Sequence, residues 1–137
     1  MLKSVKVRDY MTIDLVTFKA DMDLFRAIDV LLAHRISGAP VVDDEGHLLG
    51  LLSESDCLRG ILSGSYHEEA GGTVASVMTV VVENIDADAD IIKAAEHFIH
   101  KGRRRLPVMD EGLLVGQISR RDVLRAVKAY NEHGAPK

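Results

Sequence analysis

The chain has few aromatic rings and almost no thiol. Its 137 residues include three Tyr, three Phe, no Trp and one Cys. A lone Cys57 makes no internal disulfide and builds no thiolate metal cage. With so few rings, a flat ligand has to be held mainly by aliphatic side chains and backbone. No apolar run reaches the roughly 18 residues of a membrane span. The opening MLKSVKVRDY lacks the apolar core of a secretion signal, so a cytoplasmic protein with no membrane partner is expected. A broad basic face is missing too. Seventeen basic against 21 acidic residues give −4, which weighs against a dedicated nucleic-acid binder. There is no Gly-Lys-Ser/Thr phosphate loop, no Gly-x-Gly-x-x-Gly fingerprint and no Gly-x-Ser-x-Gly elbow. No catalytic machinery is visible, and the expectation is a non-enzyme.

What is present is core material and a repeat. At 47% hydrophobic and 28% charged, the chain can fill one core or two halves of one module. Val7–Thr12 (VRDYMT) matches Val74–Thr79 (VASVMT) at an offset of 67. Ala20, Asp21, Asp23 and Ala27 fall on Ala87, Asp88, Asp90 and Ala94, and Pro40-Val41 falls on Pro107-Val108. One residue is then lost in a turn. Gly46, Leu48, Gly50, Ser53, Asp56, Leu58 and Arg59 fall on Gly112, Leu114, Gly116, Ser119, Asp122, Leu124 and Arg125. A single deletion at a turn is what a duplication tolerates.

Each copy reads β-α-β-β-α. An extended piece (14–18, 81–85) precedes a helix expected to start at an acidic cap, Asp21 or Asp88. Leu24, Ile28, Leu31 and Leu32 recur at helical spacing, as do Ile91, Ala95, Phe98 and Ile99. Two β segments around a glycine turn follow (39–42 and 48–52; 106–109 and 113–118), then a second helix (about 55–62; about 121–131). This divides the chain into repeats 5–62 and 74–130, a polar linker 63–73 and a frayed tail 131–137. A half of about 60 residues covers its core poorly alone, so an α/β (α+β) module is expected, its halves packed sheet to sheet about a pseudo-twofold.

The repeat also keeps Ser53-x-x-Asp56 and Ser119-x-x-Asp122, which a core does not need. Both lie where a strand hands over to a helix, where free N–H groups favour an anion. A serine there can meet a phosphate oxygen, and a carboxylate one turn on can accept from both hydroxyls of a ribose. The plainer reading is a capping serine with a first-turn acid.

In this order, two copies of Met-Thr, an acid-capped helix, Leu/Ala-Pro-Val, Gly-x-x-Gly and Ser-x-x-Asp resemble a tandem pair of cystathionine-β-synthase (CBS) domains, over about 5–130. The resemblance implies a regulatory module that requires no cofactor. It implies an adenosine-containing ligand, either AMP, ADP, ATP or S-adenosylmethionine, a homodimer, and a regulated protein the sequence does not name. It also implies crosswise clefts. One would hold Ser53, Ser55 and Asp56 against Val81, Arg104 and Arg105; the other Ser119, Arg121 and Asp122 against Met11, Val16, Ile36 and Ser37. Asp56 and Asp122 would grip the ribose, and Ile36, Val16 and Val81 would sandwich the base. The alternative is a ligand-independent interaction scaffold with vestigial clefts.

The copies differ in charge. Arg103-Arg104-Arg105 stands where the first copy has Ile36-Ser37-Gly38, and Arg120-Arg121 where it has Glu54-Ser55. Guanidinium forks suit phosphate oxygens. Glu54 and Glu83 bring negative charge near the same places. Asp86-x-Asp88-x-Asp90 lacks the glycine and glutamate of a calcium loop, and His97 and His100 have no repeated partner and no nearby cysteine, so no metal site is expected.

Overall fold

The computed structural model describes residues 1–64, 72–80 and 82–134. In chain order its elements are α1 (Leu24–His34), β1 (Gly38–Val42), β2 (Leu48–Ser53), α2 (Glu54–Leu62), α3 (Val74–Val77), β3 (Ile85–Asp86), α4 (Ile91–Lys101), β4 (Arg105–Asp110), β5 (Leu113–Ser119) and α5 (Arg120–Ala129). Short 3-10 turns, Leu2–Ser4 and Val7–Asp9, precede them, and a wider turn, Tyr130–Gly134, follows. Among the described residues no helix is long and apolar enough to cross a membrane.

The chain forms two compact units, and neither is a contiguous repeat. The first is Val16–Val82; the second joins Met1–Leu15 to Glu83–Lys137. Each repeat's leading Met-Thr segment thus serves the hairpin of the other copy. Thr79 exchanges both backbone hydrogen bonds with Leu51, at 2.9 Å each. Thr12 does the same with Gln117, at 2.8 and 2.9 Å. The close approach explains the repeated glycines. A Cβ on Gly50 would lie 2.5 Å from the Thr79 carbonyl oxygen, and one on Gly116 2.6 Å from the Met11 sulfur and 2.9 Å from the Thr12 oxygen.

In the first unit β1 and β2 form an antiparallel hairpin with Pro40 opposite Leu51. Phe18, Leu24, Leu31, Val41, Leu52 and Val74 fill the core under it. In the second unit β3 runs parallel to β4, and β4 pairs antiparallel with β5. Val7, from the chain's N-terminus, is fully buried with Ile91, Phe98, Leu106, Val108 and Ile118. Val7 N–H donates to Ala89 O and Arg8 N–H to Ala87 O. The Arg8 side chain donates to Asp88 at 2.9 Å and Asp110 at 3.0 Å. That hydrogen bond holds the Asp88 carboxyl below its ordinary range.

Several expectations change. The helix caps are Asp23 and Asp90, not Asp21 and Asp88: Asp23 accepts from Arg26 N–H and Asp90 from Lys93 N–H. Asp88 lies in the turn before α4 and faces Arg8 instead. The piece 14–18 is not a strand; only Phe18 bridges β1, at Val41. At its counterpart, 81–85, the strand among the described residues is Ile85–Asp86. Leu32 and Ile99 follow the helical period but are 68% and 78% exposed. Helical turns continue to Gly134, past Asn131 where the tail was expected to begin. Most of the expected linker, 65–71, lies outside the described residues, as do 135–137 of the tail. The two first helices end differently. Gly102 closes α4 at φ 67°, whereas Arg35 closes α1 in the same left-handed region at φ 55°.

Candidate functional site

Both Ser-x-x-Asp motifs are capping boxes. Ser53 Oγ accepts from Asp56 N–H at 3.1 Å, and an Asp56 oxygen accepts from Ser53 N–H at 2.9 Å. Ser119 and Asp122 repeat this at 3.2 and 2.8 Å. The hydroxyl and carboxylate thus satisfy donors that every helix start leaves open.

The two aspartates then diverge. Asp56 is 3% exposed, and its other oxygen accepts from Arg59 at 2.6 Å and from the Thr79 hydroxyl at 3.0 Å. The other oxygen of Asp122 accepts only from Arg125, at 2.8 Å, among the described residues. A carboxylate offers about four lone-pair directions. Asp122 therefore keeps two open, enough for both hydroxyls of a diol, whereas Asp56 must first release Thr79 or Arg59. Arg125 is itself held, donating to the Tyr10 carbonyl at 3.3 Å with its guanidinium 5.8 Å from the Tyr10 ring centre. Thr79, Arg59 and Arg125 hold the two carboxylates and so join the candidate site, and none of them is assigned from the sequence. The signal was present, since the repeated motif extends to Ser-x-x-Asp-x-x-Arg.

The second unit gathers its arginines. Arg105 pairs with Ser119 across β4 and β5, and Arg120 N–H donates to the Arg104 carbonyl at 3.1 Å. A pocket of about 520 Å³ results, lined by Arg104, Arg105, Ser119, Arg120, Arg121 and Leu124. In each unit the segment before the Pro-Val strand lies beside that unit's own Ser-x-x-Asp; in the first unit Glu54 N–H donates to Ser37 O at 2.9 Å. This is a grouping the sequence reading did not contain. Arg103 stays out of it. Its Nε donates to Glu83 at 2.7 Å and holds that carboxyl below its ordinary range. The negative charge expected at Glu83 is thereby answered, with His97 Nε2 3.3 Å from its other oxygen.

Met11 is half-buried under Gly116, and Val16 and Ile36 pack on the first unit's core. Ser37 and Ser55 are exposed. Val81 lies outside the described residues. Cys57 is buried, and burial, then the Asp56 charge, pushes its thiol up, away from nucleophilic use. Among the described residues no group of three metal-ligating side chains occurs.

The CBS domain family model matches residues 7–63 and 74–129. The chain belongs to the CBS domain family and carries two copies in tandem. It is similar to an uncharacterized protein of Methanocaldococcus jannaschii, MJ1225, at 32% identity over 119 residues, covering 87% of this chain and 41% of that one. It is 33% identical over 129 residues to the inosine-5'-monophosphate dehydrogenase of the same organism, covering 93% of this chain and 25% of the enzyme. The chain thus spans well under two thirds of these relatives. The solved structure of CBSX2, a CBS-pair protein of Arabidopsis thaliana, in complex with AMP aligns at TM-score 0.79 and 29% identity, covering 93% of this chain and 98% of CBSX2.

Proposed function

We propose that the chain is a non-catalytic, cytoplasmic regulatory module that binds an adenosine-containing ligand and signals to a partner protein. The observation that carries this is Asp122: largely buried, fixed by its helix cap and Arg125, with two acceptor directions unused among the described residues, in the first turn of the helix whose Ser119, Arg120 and Arg121 line the arginine pocket. A ribose diol fits the acceptors and a phosphate fits the guanidinium forks. Asp56 with Ser53 and Ser55 forms the weaker counterpart, and Val16 and Ile36 offer apolar contact to a base. The AMP complex of CBSX2 supports the ligand class. The second reading, a scaffold with vestigial clefts, is favoured by the capping boxes, which account for both Ser-x-x-Asp pairs without a ligand.

A thermal-shift panel of AMP, ADP, ATP, S-adenosylmethionine and NADH separates the two. A ligand at about 100 times its Kd stabilises by about 2.7 kcal/mol. That gain is expected to vanish in Asp122→Ala and to shrink less in Asp56→Ala, each measured against its own unliganded baseline. No gain with any ligand favours the scaffold.

The module is also proposed to be a homodimer. Each unit leaves an apolar groove between its two helices. One of about 370 Å³ is lined by Leu31, Leu32, Leu58 and Ile61; one of about 250 Å³ by Phe98, Ile99, Val123 and Leu124. Leu58 and Leu124 are 61% and 68% exposed. Apolar surface left open in equivalent places on both copies suits a second copy of the chain. Light scattering after gel filtration should give twice the chain mass. Leu58→Glu with Leu124→Glu should give a monomer; a wild-type monomer contradicts the proposal.

A further inference from the structure

The arginine pocket has a charge that neither a capping role nor a single phosphate accounts for. Arg104, Arg105, Arg120 and Arg121 line it, and no acidic residue does. Among the described residues none of the four makes an ion pair with a carboxylate. The nearby Glu83 is taken by Arg103. Arg120 is fixed in place, its Nε donating to the Arg103 carbonyl at 2.7 Å. The pocket lies at the start of α5, a ten-residue helix whose N-terminal dipole adds to the positive field. Four exposed like charges repel one another, and an anion placed among them relieves that repulsion.

The first unit makes the contrast. It has the same backbone join, with Glu54 N–H on Ser37 O where the second unit has Arg120 N–H on Arg104 O. At the four matching positions it carries Ser37, Gly38, Glu54 and Ser55. The formal charge is therefore −1 there and +4 in the second unit. One backbone is used twice with opposite electrostatics.

We infer that the second unit's pocket is a subsite for a chain of two or more phosphates, so that its ligand is a nucleoside di- or triphosphate rather than AMP or S-adenosylmethionine. This rests on the nucleotide reading above. A terminal phosphate carries about −1.5 to −2 near neutral pH and each bridging phosphate about −1, so one phosphate answers about half of the charge, two about three-quarters, and three nearly all of it. Bidentate forks from separate backbone positions can each take a different phosphate. A sulfonium ligand, being cationic, is repelled. The pocket's volume of about 520 Å³ leaves room for the phosphate chain beside Ser119.

The test is calorimetry on the full chain with ATP, ADP, AMP, adenosine, S-adenosylmethionine and inorganic tripolyphosphate. It compares wild type with the double variant Arg120→Glu, Arg121→Ser, which imports the first unit's residues at two exposed positions. Wild type is expected to bind ATP and ADP at least on the order of tenfold tighter than AMP, with an advantage that falls as salt rises. The variant should lose that advantage while its adenosine affinity stays unchanged. Thermal melting of the variant checks that it remains folded; should it not, Arg104→Gln with Arg105→Gln makes the same comparison. Equal affinity for AMP and ATP in wild type, or an ATP advantage that survives in the folded variant, overturns the inference and leaves the nucleotide reading standing. Tripolyphosphate binding that depends on Arg120 and Arg121, with no binding of any adenosine compound, upholds the polyphosphate pocket and overturns the nucleotide reading instead. No binding of any compound overturns both.

Discussion

Replacing Val7 with Asp is expected to unfold the second unit, although Val7 belongs to the first repeat in sequence. Val7 has no exposed surface and sits among Ile91, Phe98, Leu106 and Ile118. A carboxylate there loses its hydration and meets no partner, a loss on the order of 3–5 kcal/mol, comparable with much of a small domain's stability. Val74→Asp is the mirror experiment, because Val74 is equally buried in the first unit's core with Phe18, Leu24 and Leu52. Hydrogen exchange read by mass spectrometry should show residues 85–129 losing protection first in Val7→Asp, and residues 24–62 first in Val74→Asp. The opposite pairing would mean that the leading segments serve their own repeats.

Gly116→Ala and Gly50→Ala should each lower stability by about 2–3 kcal/mol, which for a chain of this length is a fall in Tm on the order of 10 °C. The new methyl on Gly50 would meet a backbone oxygen at 2.5 Å, and that oxygen is fixed by its hydrogen bond to Leu51 N–H. Relief requires breaking the bridge that attaches Met78-Thr79 to the hairpin. Met11 can move its sulfur away from a methyl on Gly116, but the Thr12 carbonyl 2.9 Å away is tied to Gln117 N–H in the same manner. Gly50→Ala is therefore expected to cost more than Gly116→Ala. Thermal melting of both variants checks this, with the exposed Ser55→Ala as the neutral reference. An unchanged Tm in Gly50→Ala would show that the Met-Thr segment does not approach the strand as described.

The duplication, the hairpins and the second helices were legible because each rests on local signals. Short apolar runs, turn glycines and the Ser-x-x-Asp cap all act within a few residues. Sequence places the first helix starts two residues too early because Asp21 and Asp23, like Asp88 and Asp90, are both competent caps two residues apart. What separates Asp88 from Asp90 is a long-range partner: Arg8 takes the former. Leu32 and Ile99 show a second limit. Helical spacing identifies an apolar face but does not distinguish a core from an open groove. The exchange of leading segments between repeats leaves no trace in a self-alignment, since it is the same in both copies. The arginine pocket was half legible. The charged positions stood out by comparing copies, but Arg105 and Ser119 become neighbours only through strand pairing.

The central claim is that the start of α5 and the end of the segment before β4 receive a phosphorylated adenosine ligand. Amide chemical shifts of the isotopically labelled chain, followed during titration with ATP, test it most directly. The account predicts saturable shifts concentrated at residues 104–105 and 119–122, with Asp122 and Arg121 among the largest. Saturable shifts confined to other parts of the chain, or no saturable shift with ATP, would contradict it.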